Sequence, residues 1–214
     1  MARFPALPSR PYAWPYTGGW SLADTALFLV DFQTAAVVET GAAPVVERLA
    51  PLLGAWRAAG GFVLHARRGF DPHVGLPPVL ARRNAERPVD RILHRGAPGW
   101  EIVEMLTPIA EPVIDHAGDN AFLGTDLGFL IEQRKIANLV FAGLRTEGAV
   151  HATMRAANDI GLECLLLEDG TATDLPAAQA TIENITRFGS GLFGTTTTVA
   201  VVREALAGVQ GMPG

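Results

Sequence analysis

Three short runs of the chain are apolar almost without interruption: residues 26–31 (ALFLVD), 138–143 (NLVFAG) and 163–169 (ECLLLED). A strand with one face in water alternates apolar and polar side chains. A strand that is apolar on both faces has to be covered on both, which is the situation in a parallel sheet with helices above and below. Residues 61–66 (GFVLHA) and 111–116 (EPVIDH) read as two more strands. Helical patterns lie between them. Residues 43–61 carry apolar positions at helical spacing, are interrupted by Pro51 and close on a glycine pair. Residues 124–135 (GTDLGFLIEQRK) open on a Thr/Asp cap signal and end in basic residues, as the helix dipole favours. Residues 146–161 run from Thr146 to Gly161 as a third helix. Alternation of strand and helix predicts βαβ units and one doubly wound α/β domain over residues 23–214. A chain of 214 residues, 49% hydrophobic, is long enough to bury such a core.

Two segments fall outside the alternation. Residues 1–22 are rich in proline and aromatics and are expected to form an arm across the domain or a neighbouring subunit. Their Tyr12, Trp14, Tyr16 and Trp20 suggest a partner surface, hence a homo-dimer or homo-tetramer. Residues 67–99 form a long insertion with five prolines and many arginines. Such loops often shape a site, although a solvated arginine-rich surface explains them equally well.

Composition removes several function classes. A formal net charge of -5 gives nucleic acid no footing. No apolar run approaches the roughly 20 residues of a membrane helix, and the first 20 residues lack the apolar core of a signal peptide, so a soluble cytoplasmic protein is expected. Cys164 is the single cysteine and Lys135 the single lysine. A mechanism needing either residue therefore has one candidate for it.

In a doubly wound sheet, ligands bind at the carboxyl ends of the strands. Asp31, His116 and the turn 144–149 (LRTEGA) sit at such ends and are expected to converge. Asp31 is a candidate general acid/base, or else a residue that orders a turn. His116 is a second acid/base candidate, or a buried histidine bonded to backbone. The amides of a helix N-terminus can form an oxyanion hole, and Gly148-Ala149 leaves this turn small and open. An ordinary strand–helix connection accounts for the small residues as well. Asp71 and His73 have a metal-like spacing but no third ligand, so no metal and no cofactor is expected. His151 points away from the turn, and Cys164 belongs to a core strand.

The stretches ALFLVDFQ, VIDHAGDNAFLGTDLGFLIEQRKIANLVFAGLRTEGAVHATMRAANDIGLECLLLEDG and RFGSGLFG resemble the isochorismatase-like, or cysteine hydrolase, superfamily nearly end to end. The N-terminal stretch PYAWPYTGGW and residues 91–106 (RILHRGAPGWEIVEML) are most similar to its biuret hydrolase and ureide-amidase branch. The resemblance implies a six-stranded, mostly parallel sheet, an oligomer, and C–N bond hydrolysis by an Asp, a Lys and a nucleophilic Cys. The Asp falls on Asp31. The Lys position holds His116 and the Cys position holds Ala149. A cis peptide is implied at Leu144-Arg145. Gln33, Phe122, Leu144 and Gly148 are expected around the substrate together with Arg145, which departs from the small residue the family often has there.

Two of three catalytic positions therefore differ, and alanine cannot form the acyl intermediate of covalent amide hydrolysis. Three readings follow. In the first, the chain is a hydrolase of a small ureide, amide or carboxylic acid that uses Asp31 in acid/base chemistry. The true isochorismatases also lack the Cys and protonate a vinyl ether from the Asp, and Arg145 offers a carboxylate anchor. In the second, it is an inactive homologue that binds a ligand or partners an active paralogue. In the third, a laboratory exchange of Cys for Ala accounts for Ala149, although not for His116.

Overall fold

The computed structural model describes residues 3–210. The chain opens with an antiparallel hairpin, β1 (Phe4–Leu7) and β2 (Trp14–Trp20). The first apolar run follows as β3 (Thr25–Val30), which leads into α1 (Thr34–Thr40) and α2 (Ala43–Ala58). Then come β4 (Phe62–Arg68), α3 (Pro78–Glu86) and β5 (Val113–His116). The second half runs α4 (Leu127–Gln133), β6 (Asn138–Leu144), α5 (His151–Asp159), β7 (Glu163–Ala172), α6 (Pro176–Gly191), β8 (Thr195–Thr197) and α7 (Val199–Gln210).

Six strands form one sheet in the order β5-β4-β3-β6-β7-β8, and every neighbouring pair is parallel. The apolar runs occupy its middle, and their side chains divide between the two faces by the period of two. Leu27 and Leu29 of β3 join one core with Leu49, Leu53 and Trp56 of α2 and Val202 of α7. Ala26, Phe28 and Val30 join the other with Leu127 of α4 and Met154 of α5. Pro51 lies inside α2 without ending it. Its neighbours Leu49, Leu52 and Leu53 are buried, so packing holds the helix through the lost backbone bond.

The arm does not wait for a partner. Trp14 and Trp20 are fully buried in this domain's own core, and Trp20 stacks on Trp56 with ring centroids 5.8 Å apart. Of the four aromatics that suggested an interface, only Tyr16 is largely exposed. The insertion also differs from a plain loop. It holds the nine-residue α3, which buries no side chain and so leaves no apolar periodicity to read.

Chain direction away from β3 is what positions the site. From β3 the chain moves to β4 and β5 on one side, and β6, β7 and β8 build the other side. The crevice between the carboxyl ends of β3 and β6 is therefore the topological switch point, where open α/β sheets bind ligands. The two strands approach closely there. A Cβ on Gly143 would lie 2.5 Å from Val30 O, so only glycine lets β6 run beside β3 at this level.

Candidate active site

Asp31 follows β3 directly and its backbone adopts φ 56°, a left-handed conformation uncommon outside glycine and typical of functional sites. Its amide donates to Ala66 O at 3.0 Å, which pins the turn to β4. Asp31 as a whole residue is 4% exposed, and its carboxylate accepts a hydrogen bond from His116 Nε2 to Oδ1 at 2.9 Å. His116, at the end of β5, is 1% exposed, and its Nδ1 lies 2.7 Å from Gly118 O. A carbonyl only accepts, so Nδ1 carries a hydrogen. One further proton then has to lie on the Nε2–Oδ1 bond, whether as imidazolium with carboxylate or as imidazole with carboxylic acid. Burial disfavours a charged ring, but the Asp31 charge, its hydrogen bond and the Gly118 carbonyl outweigh that and raise the His116 pKa above its ordinary value. The other two buried histidines behave oppositely: burial pushes His65 and His151 down to about 4. The position where the resemblance implies a lysine thus holds a buried histidine, hydrogen-bonded to Asp31, whose raised pKa favours the cationic form.

Arg145 enters from the turn after β6, and the Leu144-Arg145 peptide is cis, as the resemblance implies. Its guanidinium is buried and meets three carboxylates. Nη2 donates to Glu39 Oε2 at 2.8 Å, Nη1 pairs with Asp174, and Nε sits 3.2 Å from Asp90 Oδ1 outside hydrogen-bond geometry. Arg68, the last residue of β4, is equally buried and donates to Asp90 and, at 2.7 Å, to Asp119 Oδ1. A cavity of about 40 Å³ remains between these groups, lined by Asp31, Gln33, Leu144, Arg145, Arg68 and Asp90 among others. That is room for a few waters.

The residues read from the sequence separate into two sets here. Asp31, Gln33, Leu144 and Arg145 face the cavity. Gln33 uses its amide on backbone, donating to Arg68 O (3.0 Å) and Trp100 O (2.8 Å) and accepting from Arg68 N (2.9 Å), so it ties β3 to β4 rather than offering groups to a ligand. His116 stands behind Asp31. Ala149, Gly148 and Phe122 do not line the cavity. Ala149 is 1% exposed within the core beside Phe28 and Val150, and Phe122 packs half-buried against the same core. The amide of Gly148 donates to Arg145 O at 3.1 Å and that of Val150 to the same oxygen at 3.3 Å. Those amides close the turn itself.

Other candidates resolve simply. Asp71 Oδ1 accepts from His73 N at 2.8 Å, a local turn, and among the described residues no group of three or more His, Cys, Asp or Glu side chains is placed to hold a metal. His151 accepts from Arg155 Nε at 3.1 Å and stacks edge-on against Phe193. Cys164 is buried, its thiol pKa pushed up by burial and by Glu163. Sequence reasoning missed Arg68, Asp90, Glu39 and Asp174. Arg68 carried a usable signal, since it too ends a strand.

Residues 25–201 match the model of the isochorismatase domain. The chain belongs to the isochorismatase family. Among its relatives is a ureidoacrylate amidohydrolase RutB of Methylorubrum extorquens, 30% identical over 229 residues that cover 94% of this chain and 88% of that protein. Another is the streptothricin hydrolase of Streptomyces noursei, 32% identical over 72% of this chain and 51% of the relative. The fold matches a cysteine hydrolase from Pseudomonas syringae pv. phaseolicola with a TM-score of 0.79 at 23% identity, over 95% of this chain and 98% of the other. This chain, α/β in fold, is thus a homologue of isochorismatase-family hydrolases, in which Ala149 and His116 stand where the resemblance implies Cys and Lys. No helix among the described residues is long and apolar enough to cross a membrane.

Proposed function

We propose that the protein hydrolyses a small polar molecule, a ureide, amide or small carboxylic acid, by acid/base chemistry on Asp31 without a covalent intermediate. The observation that carries this reading is the Asp31–His116 pair: a buried, proton-sharing couple whose carboxylate faces the cavity at the switch point. In hydrolysis of a C–N bond, Asp31 takes a proton from an attacking water and the carbonyl carbon becomes tetrahedral. The same proton then passes to the leaving nitrogen as the C–N bond breaks. His116, held by Gly118 O, fixes the orientation of the carboxylate and supplies the positive charge beside it. Arg145 and Arg68 orient the substrate. The ureidoacrylate amidohydrolase RutB supports the substrate class, and the streptothricin hydrolase supports hydrolysis. The protein works in the cytoplasm as a homo-dimer or homo-tetramer, without nucleic acid or membrane as partner.

A second reading has its own support. The cavity of about 40 Å³ is far below the roughly 300 Å³ at which ligand pockets usually begin, and Ala149 offers no nucleophile. On that reading the chain is a silent homologue that binds a ligand or partners an active paralogue. A mass-spectrometric screen of ureides, amides, enol ethers and small carboxylic acids separates the two. The first reading expects turnover that Asp31→Asn lowers by about 10² or more. Absence of turnover across the panel, with an active cysteine hydrolase co-purifying, favours the second.

A further inference from the structure

Two buried guanidinium groups from different strands converge on one oxygen atom. Arg68 Nη2 donates to Asp90 Oδ1, and Arg145 Nε lies 3.2 Å from the same atom. Both arginines are 8% exposed and belong to the sheet framework, one at the end of β4 and one at the turn after β6. Asp90 belongs to neither. It arrives on the long segment between β4 and β5, after α3, with a left-handed φ of 55° that an aspartate adopts only at some cost. Further bonds seat it: its carbonyl accepts from Arg68 Nη2 at 2.9 Å and its amide donates to Glu39 Oε2 at 3.1 Å. The receptor for a carboxylate is thus part of the rigid scaffold, and the carboxylate in it is delivered by a loop.

The fit of this internal occupant is incomplete. Arg145 Nε is buried and reaches hydrogen-bond geometry with no acceptor, although Asp90 Oδ1 is near. A buried guanidinium N–H is best satisfied by an acceptor aligned with it, and Asp90 meets this one at 3.2 Å only obliquely. A free carboxylate, not tethered to a loop, can align with both arginines. Exchange of one carboxylate for another also leaves the local charge unchanged. Glu39, Asp119 and Asp174 already pair with these arginines, so a doubly charged anion would add repulsion that a monocarboxylate does not. Asp31 lines the same cavity, so a ligand anchored there presents its neighbouring atoms to the acid/base pair.

We propose that Asp90 is an internal stand-in for a ligand carboxylate, that residues 69–99 act as the lid carrying it, and that a small monocarboxylate displaces it from Arg68 and Arg145. The inference rests on the reading of this cavity as the substrate site, and it adds how that site is closed and which group opens it. While Asp90 is seated, only the open fraction of molecules binds, and the apparent affinity falls by that fraction.

The test measures binding, not turnover, on the full chain by calorimetry. Acetate is the probe, acetamide the neutral control and sulfate the doubly charged one. Asp90→Asn should tighten acetate binding by about tenfold or more while acetamide stays unchanged and sulfate remains weaker than acetate. Asp90→Glu, which restores a loop carboxylate, should bind acetate as weakly as the natural protein. Hydrogen exchange on the unaltered protein gives an independent readout that needs no variant to fold. Saturating acetate should speed exchange of the amides around residues 90–95 relative to chloride at equal ionic strength. Equal acetate affinity in the natural protein and Asp90→Asn, an equal gain for acetamide, or unaltered exchange at residues 90–95 would each overturn the proposal. Acetate binding without any hydrolytic turnover removes the hydrolase reading alone. Turnover of a ureide with no acetate response removes only the lid.

Discussion

Replacing His116 by leucine should be among the most destabilising single changes in this protein, and its cost should depend on pH in a specific way. The change keeps the volume roughly constant and removes two hydrogen bonds, to Asp31 Oδ1 and to Gly118 O. The side chains of His116 and Asp31 are 0% and 5% exposed, so water neither screens the pair nor replaces it. Breaking a buried ion pair from one side leaves the other charge unpaired and typically costs about 3–5 kcal/mol. For a chain of this size each kcal/mol moves Tm by about 2–4 °C, so a fall of about 6–20 °C is expected near pH 6. His116 has a folded-state pKa raised above the ordinary 6.5. Its contribution is therefore complete below about 6.5 and is lost as the pH climbs through the folded value. The gap between the natural protein and His116→Leu should narrow on the alkaline side. In the double variant Asp31→Asn/His116→Leu no buried charge is left over, so it should be more stable than His116→Leu alone. Urea unfolding at a series of pH values, with both variants, measures all three effects. A cost under about 1 kcal/mol, a gap that widens with pH, or simple additivity in the double variant would refute the buried ion pair.

Three further outcomes are expected. Ala149→Cys should not create an efficient amidase, because the new thiol starts in the packed core and Arg145 occupies the turn; ammonia release from biuret-like ureides should stay about 10² or more below a typical enzyme, and adding His116→Lys should gain more than the sum of the single changes. Gly143→Ala places a Cβ 2.5 Å from Val30 O and 2.7 Å from Val30 Cβ, so it should destabilise by about 1–3 kcal/mol in thermal unfolding. Light scattering at micromolar concentration should find a dimer or tetramer, and a monomer would remove the oligomer from the proposed function.

Much of the fold was legible because its strands are buried on both faces and therefore announce themselves locally. β8 was not, since its three threonines form a short edge strand without an apolar run. The hairpin of β1 and β2 was also hidden. Its tryptophans were visible, but what covers them is Trp56, a partner no local pattern can specify. At the site, the strand-end rule pointed to Asp31, His116 and the turn 144–149; Asp31, Leu144 and Arg145 line the cavity, while His116 stands behind Asp31 and Gly148 and Ala149 do not reach it. It lost Arg68 to a boundary. The strand read as ending at Ala66 runs on to Arg68, and those two residues moved a buried site arginine into what looked like a surface insertion. Boundaries are the weakest part of a periodicity argument, and here the boundary carried the chemistry. Glu39, Asp90 and Asp174 were missed for another reason: carboxylates gathered around a guanidinium from distant loops leave no spacing to recognise.

The measurement closest to the central claim is a single turnover in ¹⁸O water, with the substrate found by the screen, followed by mass analysis of the product and of the peptide containing Asp31. If Asp31 works as an acid/base on water, the product carries the heavy oxygen from the first turnover and the Asp31 peptide keeps its mass. If the first product carries ordinary oxygen and the Asp31 peptide gains the heavy one, the carboxylate has attacked the substrate itself, and acid/base hydrolysis without a covalent intermediate is wrong.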